Sequence, residues 1–310
     1  MFFVISGFIM TYIVSKNEDS FLYRRIIRIV PLYYGMTFFT VTLFLLKPVW
    51  FRNVIVTPEA IIKSLLFIPY RIKGSGPILS LGWTLNYEMF FYLTIAISIS
   101  LFGNKRGMIA CLILLSLFVL ICQIYPPTNY ILAFYSGSII LEFVAGSFLF
   151  YHWNARKHSL SLTTKWVGKI LGILSLIFLI ITDYFYDPTL SRFLLFGIPS
   201  LFLTNAALMV EGKVDIKKKL YSTAVLLGDS SYAMYLTHPF IIYAFIRLVF
   251  KNFKSENVLF RMTELVVTMI IVCFVSIVIY KWFEKPVMKK LKLATNNKFR
   301  REESVKTARV

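Results

Sequence analysis

The chain has 310 residues, of which 58% are hydrophobic, 17% aromatic and only 16% charged, with a net charge of +19. A soluble domain carries about 25% charged residues, so this composition, with a mean hydropathy of +0.71, excludes an ordinary soluble enzyme and predicts an all-α, polytopic membrane protein. The positive charge does not indicate a nucleic-acid partner, because the basic residues sit in short loops between apolar runs, where they set topology and meet anionic lipid.

Residues 2–14 are apolar but fall short of the about 20 residues that a bilayer-spanning helix needs. A polar loop, 16–28, carries Arg24, Arg25 and Arg28 and leads into a second span, 29–46, with Pro31 in its first turn, where a missing N–H costs little. The longest connection, 47–77, contains an amphipathic piece at 59–68 and the breaker Gly74-Ser75-Gly76-Pro77. The third span, 78–102, opens with Leu79-Ser80-Leu81-Gly82-Trp83-Thr84-Leu85-Asn86-Tyr87-Glu88 and so buries a carboxylate. An ionisable group at membrane depth is costly and normally faces a cavity, a partner or a task. Thr84 and Glu88 are four apart and share a helix face, with Trp83 and Tyr87 as the adjacent stripe. A glutamate that merely ties helices together would fit the same spacing. The gathering of Ser80, Thr84, Asn86 and Glu88 at one end of an apolar helix favours function.

A fourth span, 108–124, follows the Lys105/Arg106 turn, and Pro126-Pro127 breaks the chain before a fifth, 130–151, which holds a second buried carboxylate, Glu142, between Gly137 and Gly146. Glu142 suits either a helix-packing hydrogen bond or the wall of a site. A loop with His152, Arg156, Lys157, His158 and Lys165 precedes the sixth span, 166–182; Asp183 and Asp187 precede the seventh, 191–210. Lys213, Lys217, Lys218 and Lys219 precede an apolar, Gly/Ser-broken stretch and then the eighth span, 231–250, which contains His238-Pro239. The ninth runs 260–283, and a basic tail from 285 to 310 is expected to be disordered. Residues 1–284 thus form one transmembrane domain. Cys111, Cys122 and Cys273 lie inside apolar runs with no metal-binding or disulfide spacing, so no metal site is expected.

Placing the Arg24/Arg25/Arg28 loop in the cytoplasm puts the Lys105/Arg106 turn, the 152–165 loop, the 213–219 loop and the C-terminal tail there too, a positive-inside pattern. The 47–77 loop dissents: it should be outside, yet it holds Lys47, Arg52, Lys63, Arg71 and Lys73; as the longest loop it counts less in that rule. Nine spans with a cytoplasmic tail also leave Met1 outside ahead of a short first span, as expected of a ten-helix protein lacking its first helix.

Several stretches together resemble the acyltransferase 3 family of bacterial membrane proteins. They are Phe2-Phe3-Val4-Ile5-Ser6-Gly7-Phe8, Tyr23-Arg24-Arg25-Ile26-Ile27-Arg28-Ile29-Val30-Pro31, Trp83-Thr84-Leu85-Asn86-Tyr87-Glu88, Leu141-Glu142-Phe143-Val144-Ala145-Gly146, Ser231-Tyr232 through His238-Pro239, and Trp282-Phe283-Glu284-Lys285-Pro286. Thr84 stands in the serine place of the family's Ser-x-x-x-Glu pattern, and the wording around it is similar to the exopolysaccharide-production branch. Each motif alone is weak, but their order across the chain is specific. The family's Arg-x10-His motif, on its first helix, has no counterpart here, which leaves open an inactive, shortened form.

The resemblance implies transfer of an acetyl or other short acyl group from cytoplasmic acyl-CoA to a cell-surface or lipid-linked glycan of exopolysaccharide or O-antigen type. The site would be in the bacterial cytoplasmic membrane, with acyl-CoA, the saccharide acceptor and membrane lipids as partners and no permanently bound cofactor. Acyl transfer to a hydroxyl needs a base, donors for the oxyanion and a grip on the donor. Arg25 and Arg28, with Arg24, are the candidate grip on the phosphates of CoA, although positive-inside arginines touching lipid headgroups would look the same. Glu88 and Thr84 are the candidate polar centre, with Trp83, Asn86, Tyr87 and Glu142 as candidate acceptor-binding residues. His238 is a candidate catalytic residue, although a lone histidine on an apolar helix is commonly structural. A transporter or flippase for a small anion or lipid-linked sugar would share the buried carboxylates and broken helices.

Overall fold

A computed structural model of the chain describes residues 1–16, 21–51, 54–156, 161–182, 191–210, 219–248 and 257–294. Arg52, Lys157, His158, Asp183, Asp187, Lys213, Lys217, Lys218 and the tail beyond 294 lie outside the described residues. The described backbone is helical except for loops and one bridge between Ile72 and Ser75, closed by a tight turn in which Lys73 and Gly74 take φ of 46° and 84°.

Six of the described helices are long and apolar enough to cross a membrane, not nine. The predicted first span is α1, Phe2–Ser15, which stays short. The seventh is an apolar helix, Phe193–Met209, that is too short to count as a span; it opens in a wide π turn, Phe193–Gly197, which runs on without a break into the α-helix Ile198–Val210. The eighth, Ser231–Leu248, carries serine, threonine, histidine and arginine among its apolar residues and Pro239 inside it. Two boundaries also move. The second span begins at Phe21, so Arg24, Arg25 and Arg28 lie within the helix rather than in a loop, and Pro31 is inside it rather than in its first turn. The tail predicted to be disordered from 285 is helical as far as Ala294, because Met, Lys, Leu and Ala are good helix formers and Tyr23 reaches across to the Leu291 carbonyl.

The chain divides into two compact units. The first comprises Met1–Leu22, Leu66–Pro77 and Trp83–Val214. It contains α1, nearly all of a helix at Gly82–Phe102, and helices at Asn104–Ile124, Tyr130–Tyr135, Ile140–Arg156, Leu162–Thr182 and Ile198–Val210. With α2 (Phe21–Leu46) and α3 (Pro58–Leu65) counted in chain order, these are α4 to α9. Its centre is the pairing of α1 with α7. A Cβ on Gly146 would sit on the Val4 carbonyl oxygen, and one on Gly7 would sit on that of Phe143, so the two backbones touch. Small residues permit such an approach where lipid offers helices no hydrophobic drive to associate. The Ser147 hydroxyl, buried at the contact, donates to the Gly7 and Phe143 carbonyls.

The second unit comprises Tyr23–Leu65, Ile78–Gly82 and Asp215–Val310, and holds most of α2, α3, α10 (Lys219–Asp229), α11 (Ser231–Leu248) and α12 (Val258–Ile279). Pro31 leaves the Ile27 carbonyl of α2 without its helical donor, and two residues on the Ile29 carbonyl accepts a 2.7 Å hydrogen bond from Tyr232 of α11. The last carbonyls of a helix lack partners within it. Those of α3 are met by tyrosines of α2: Tyr33 donates to Ser64 O at 3.2 Å and Tyr34 to Leu65 O at 2.9 Å. The Ser64 hydroxyl in turn accepts from the Ile78 amide at 3.1 Å.

Candidate functional site

The polar centre of the first unit is built on the opening turns of α4. Glu88 is 7% exposed, and one of its oxygens, Oε1, takes two hydroxyl donors from two helices: Ser6 of α1 at 3.2 Å, and Tyr92, one turn on along α4. Two O–H groups on one carboxylate oxygen fix the carboxyl's direction. Ser6 reaches Glu88 because its neighbour Gly7 lets α1 lie against α7; the small-residue contact therefore sets the geometry of the carboxylate. Tyr92 is itself held edge-on by Phe21, with ring centroids 6.1 Å apart.

Thr84 lies one turn before Glu88 on the same face and is buried. The neighbouring stripe is aromatic: Trp83 and Tyr87 meet edge to face at 6.2 Å, Phe3 packs on both, and Tyr87 stacks on Phe134 at 4.3 Å while its hydroxyl donates to the Phe134 carbonyl. Asn86 is buried, and its Oδ1 has no hydrogen-bond partner among the described residues. A buried acceptor without a donor is costly and marks where a ligand's hydroxyl would be welcome.

Glu142 sits in the first turn of α7, 1% exposed. Its oxygens meet charge rather than hydrogen bonds: Arg192 Nε lies 3.5 Å from Oε1, and the Met1 amino group 3.7 Å from Oε2. The Arg192 guanidinium also lies over the rings of Trp83, at 5.9 Å, and Phe196, at 5.5 Å. Trp83, Tyr87, Glu142 and Arg192 thus form one aromatic and charged cluster at the start of α4 and α7. Ser80 precedes α4 and belongs to the second unit.

In the second unit Arg24 and Arg28 are exposed on the first turns of α2 and Arg25 is half-buried. Arg28 acts electrostatically on Glu284, which is 3% exposed, so the carboxylate of the Trp282-Phe283-Glu284 stretch balances part of that charge. His238 has a local task. Proline has no N–H, so Pro239 leaves the Tyr235 carbonyl, one turn back, without its helical donor. His238 Nδ1 lies 2.9 Å from that oxygen and 3.2 Å from Met234 O. Carbonyls only accept, so Nδ1 carries the hydrogen that meets them.

Three residues of the site escaped the reading of the sequence. Tyr92 follows Glu88 by one turn and was legible from spacing alone. Ser6 stood in a quoted motif, but only the approach of α1 to α7 reveals its partner. Arg192 adjoins a loop, and nothing local to it points to Trp83 or Glu142.

Residues 1–281 match the acyltransferase domain family. Among curated proteins the chain is similar to the exopolysaccharide production protein ExoZ of Rhizobium meliloti (strain 1021), 33% identical over 256 residues that cover 78% of this chain and 75% of that protein. No solved structure gives a significant match.

Proposed function

We propose a function from one premise: the chain belongs to the acyltransferase 3 family, which it matches over residues 1–281. It is a multi-pass membrane acyltransferase, and the reaction we infer moves acetyl, or a similarly short acyl group, from cytoplasmic acyl-CoA to a hydroxyl of a cell-surface or lipid-linked glycan. The similarity to an exopolysaccharide production protein supports a glycan acceptor. We place the chain in a bacterial cytoplasmic membrane with its C-terminus inside, on the distribution of basic loops.

The observation that carries this reading is the Glu88 centre, a buried carboxylate aimed by two hydroxyls within an apolar bundle. In the transfer, a bond forms between the acyl carbon and the glycan oxygen, the thioester C–S bond breaks, and the proton of the glycan hydroxyl ends on the departing thiol. Glu88 holds the acceptor hydroxyl for that proton's removal, and Thr84 lines the same face. Trp83 and Tyr87 offer ring faces to a sugar, with Asn86, Glu142 and Arg192 as polar contacts. Arg25 and Arg28, with Arg24, hold the phosphates of CoA. His238 we assign to the integrity of α11 rather than to the chemistry.

The test is consumption of radiolabelled acetyl-CoA by membranes containing the full chain, with and without the polysaccharide or lipid-linked saccharide of the producing cell. Label that enters the glycan only when both are present supports the reading. Uptake of sugar or anion without ester formation would replace it with a transporter.

A further inference from the structure

Beyond α12 the chain makes a wide π turn, Tyr280–Glu284, before its helix runs on to Ala294. Such turns are rare and gather at functional places. Tyr280 and Glu284 are both buried, and the Tyr280 hydroxyl donates at 3.5 Å to Oδ2 of Asp229, the exposed last residue of α10. Two contacts lay α2 against this stretch in the antiparallel sense. Tyr23, near the start of α2, donates to the Leu291 carbonyl, and further along α2 a Cβ on Gly35 would lie 3.9 Å from the ring tip of Phe283. Arg28 lies between Tyr23 and Gly35 on α2, just as Glu284 lies between Phe283 and Leu291 on the opposing helix. Arg28 and Asp229 accordingly both act electrostatically on Tyr280 and on Glu284.

A second observation concerns the carboxylate itself. Glu284 is 3% exposed, yet its Oε2 accepts no hydrogen bond among the described residues. A buried carboxylate oxygen without a donor is costly. The donor that would satisfy it stands on the neighbouring helix: Arg28 is exposed, and its charge reaches Glu284. A guanidinium presents its N–H groups in a planar fork that fits a carboxylate and a phosphate alike.

We propose that Glu284 is a positioning residue for the donor site: its open oxygen is where Arg28 docks when the phosphate of CoA is absent, so carboxylate and phosphate exchange on one guanidinium. The inference rests on the reading of Arg28 as part of the grip on CoA. Acyl transfer leaves CoA with the phosphates it had as acyl-CoA, so a grip that binds the donor also holds the product, and product release limits many enzymes. A carboxylate that competes for the arginine weakens the hold on both and shortens the stay of the product.

The test measures equilibrium binding and release of radiolabelled CoA on the full chain purified in detergent. Glu284→Gln, which keeps the shape of the side chain and removes its charge, should tighten CoA binding about fivefold or more and slow its release to match. Glu284→Asp keeps the charge and should bind CoA within about twofold of the unsubstituted chain. Arg28→Ala should weaken binding, and in that background Glu284→Gln should change nothing, because the gain passes through the arginine. A carboxylate that merely held the π turn together would give looser binding or lower stability when replaced, never a gain that depends on Arg28. Should Glu284→Gln fold poorly, Asp229→Asn, on the exposed carboxylate of the cluster, should tighten CoA binding in the same direction by a smaller factor. Unchanged or weaker CoA binding in folded Glu284→Gln overturns the proposal, as does a gain that survives Arg28→Ala or a chain that binds no CoA. A chain that shows the expected pattern but acetylates nothing upholds the exchange while defeating the acyltransferase reading. A chain that acetylates glycan while its CoA binding ignores Glu284 does the reverse.

Discussion

In the first unit α1 and α7 meet backbone to backbone, and the carboxylate of Glu88 is held by hydroxyls from α1 and α4. In the second unit α2 and α11 touch through single side chains, Tyr232 on the Ile29 carbonyl and Phe240 on Phe39, flank an open apolar groove, and each carry a proline. Both units are made of the same apolar material under the same constraint, that backbone polar groups be satisfied without water. The difference lies in what fills the space between helices. Where a group must be aimed, glycine and serine bring backbones together and leave no freedom. Where Pro239 interrupts the ladder of α11, the ring of His238 meets the carbonyl that the proline leaves open.

The largest effect that this contrast predicts is at the tight contact. Gly146→Leu drives a side chain into the Val4 carbonyl and should destabilise the chain by on the order of 3 kcal/mol or more. The measurement is thermal unfolding in detergent. The equivalent change at Gly35, whose nearest neighbour to an added Cβ is the tip of Phe283 at 3.9 Å, should be mild. Equal effects at the two glycines would erase the distinction.

Smaller, and sharper, is the removal of one donor from the carboxylate. Tyr92→Phe keeps the ring against Phe21 and deletes the hydroxyl that meets Glu88. A hydrogen bond to a charged group contributes about 1.5–3 kcal/mol, so glycan acetylation should fall roughly tenfold or more while the amount of protein in the membrane is unchanged. Ser6→Ala should act in the same direction.

The smallest effect separates repair from chemistry in the second unit. His238→Ala should cost about 1 kcal/mol of stability and leave the rate of transfer within a few-fold. Restoring the N–H with Pro239→Ala in the same chain should return part of that stability, because the Tyr235 carbonyl regains a helical donor. A rate loss of two orders of magnitude, with no rescue by the second substitution, would make His238 a catalytic residue instead.

Much of this was legible in the sequence, for physical reasons that can be named. Long apolar runs and their basic flanks locate helices, because a bilayer imposes one length and one preference for charge. The spacing of Thr84, Glu88, Trp83 and Tyr87 gave the faces of α4 directly, since helical periodicity is local. What failed was also systematic. The extension of α2 back to Phe21 was hidden because arginines read as a loop, although arginine is a good helix former and its long stem reaches water from a helix end. The π turn that opens the helix at Phe193–Gly197 carried no pattern that hydropathy detects. Ser6 and Arg192 find their partners far along the chain, and no local rule supplies such pairings.

The most direct test of the central claim is acetyl transfer by Glu88→Gln, which keeps the size of the side chain and its capacity to accept from Ser6 and Tyr92 but removes the charge. Wild-type and variant membranes, matched for protein content, would be given acetyl-CoA and the glycan acceptor, and acetyl ester on the glycan measured. The account predicts a loss of at least about a hundredfold with normal membrane content and thermal stability. Acetylation at the wild-type level would contradict it and leave Glu88 as a tie between helices.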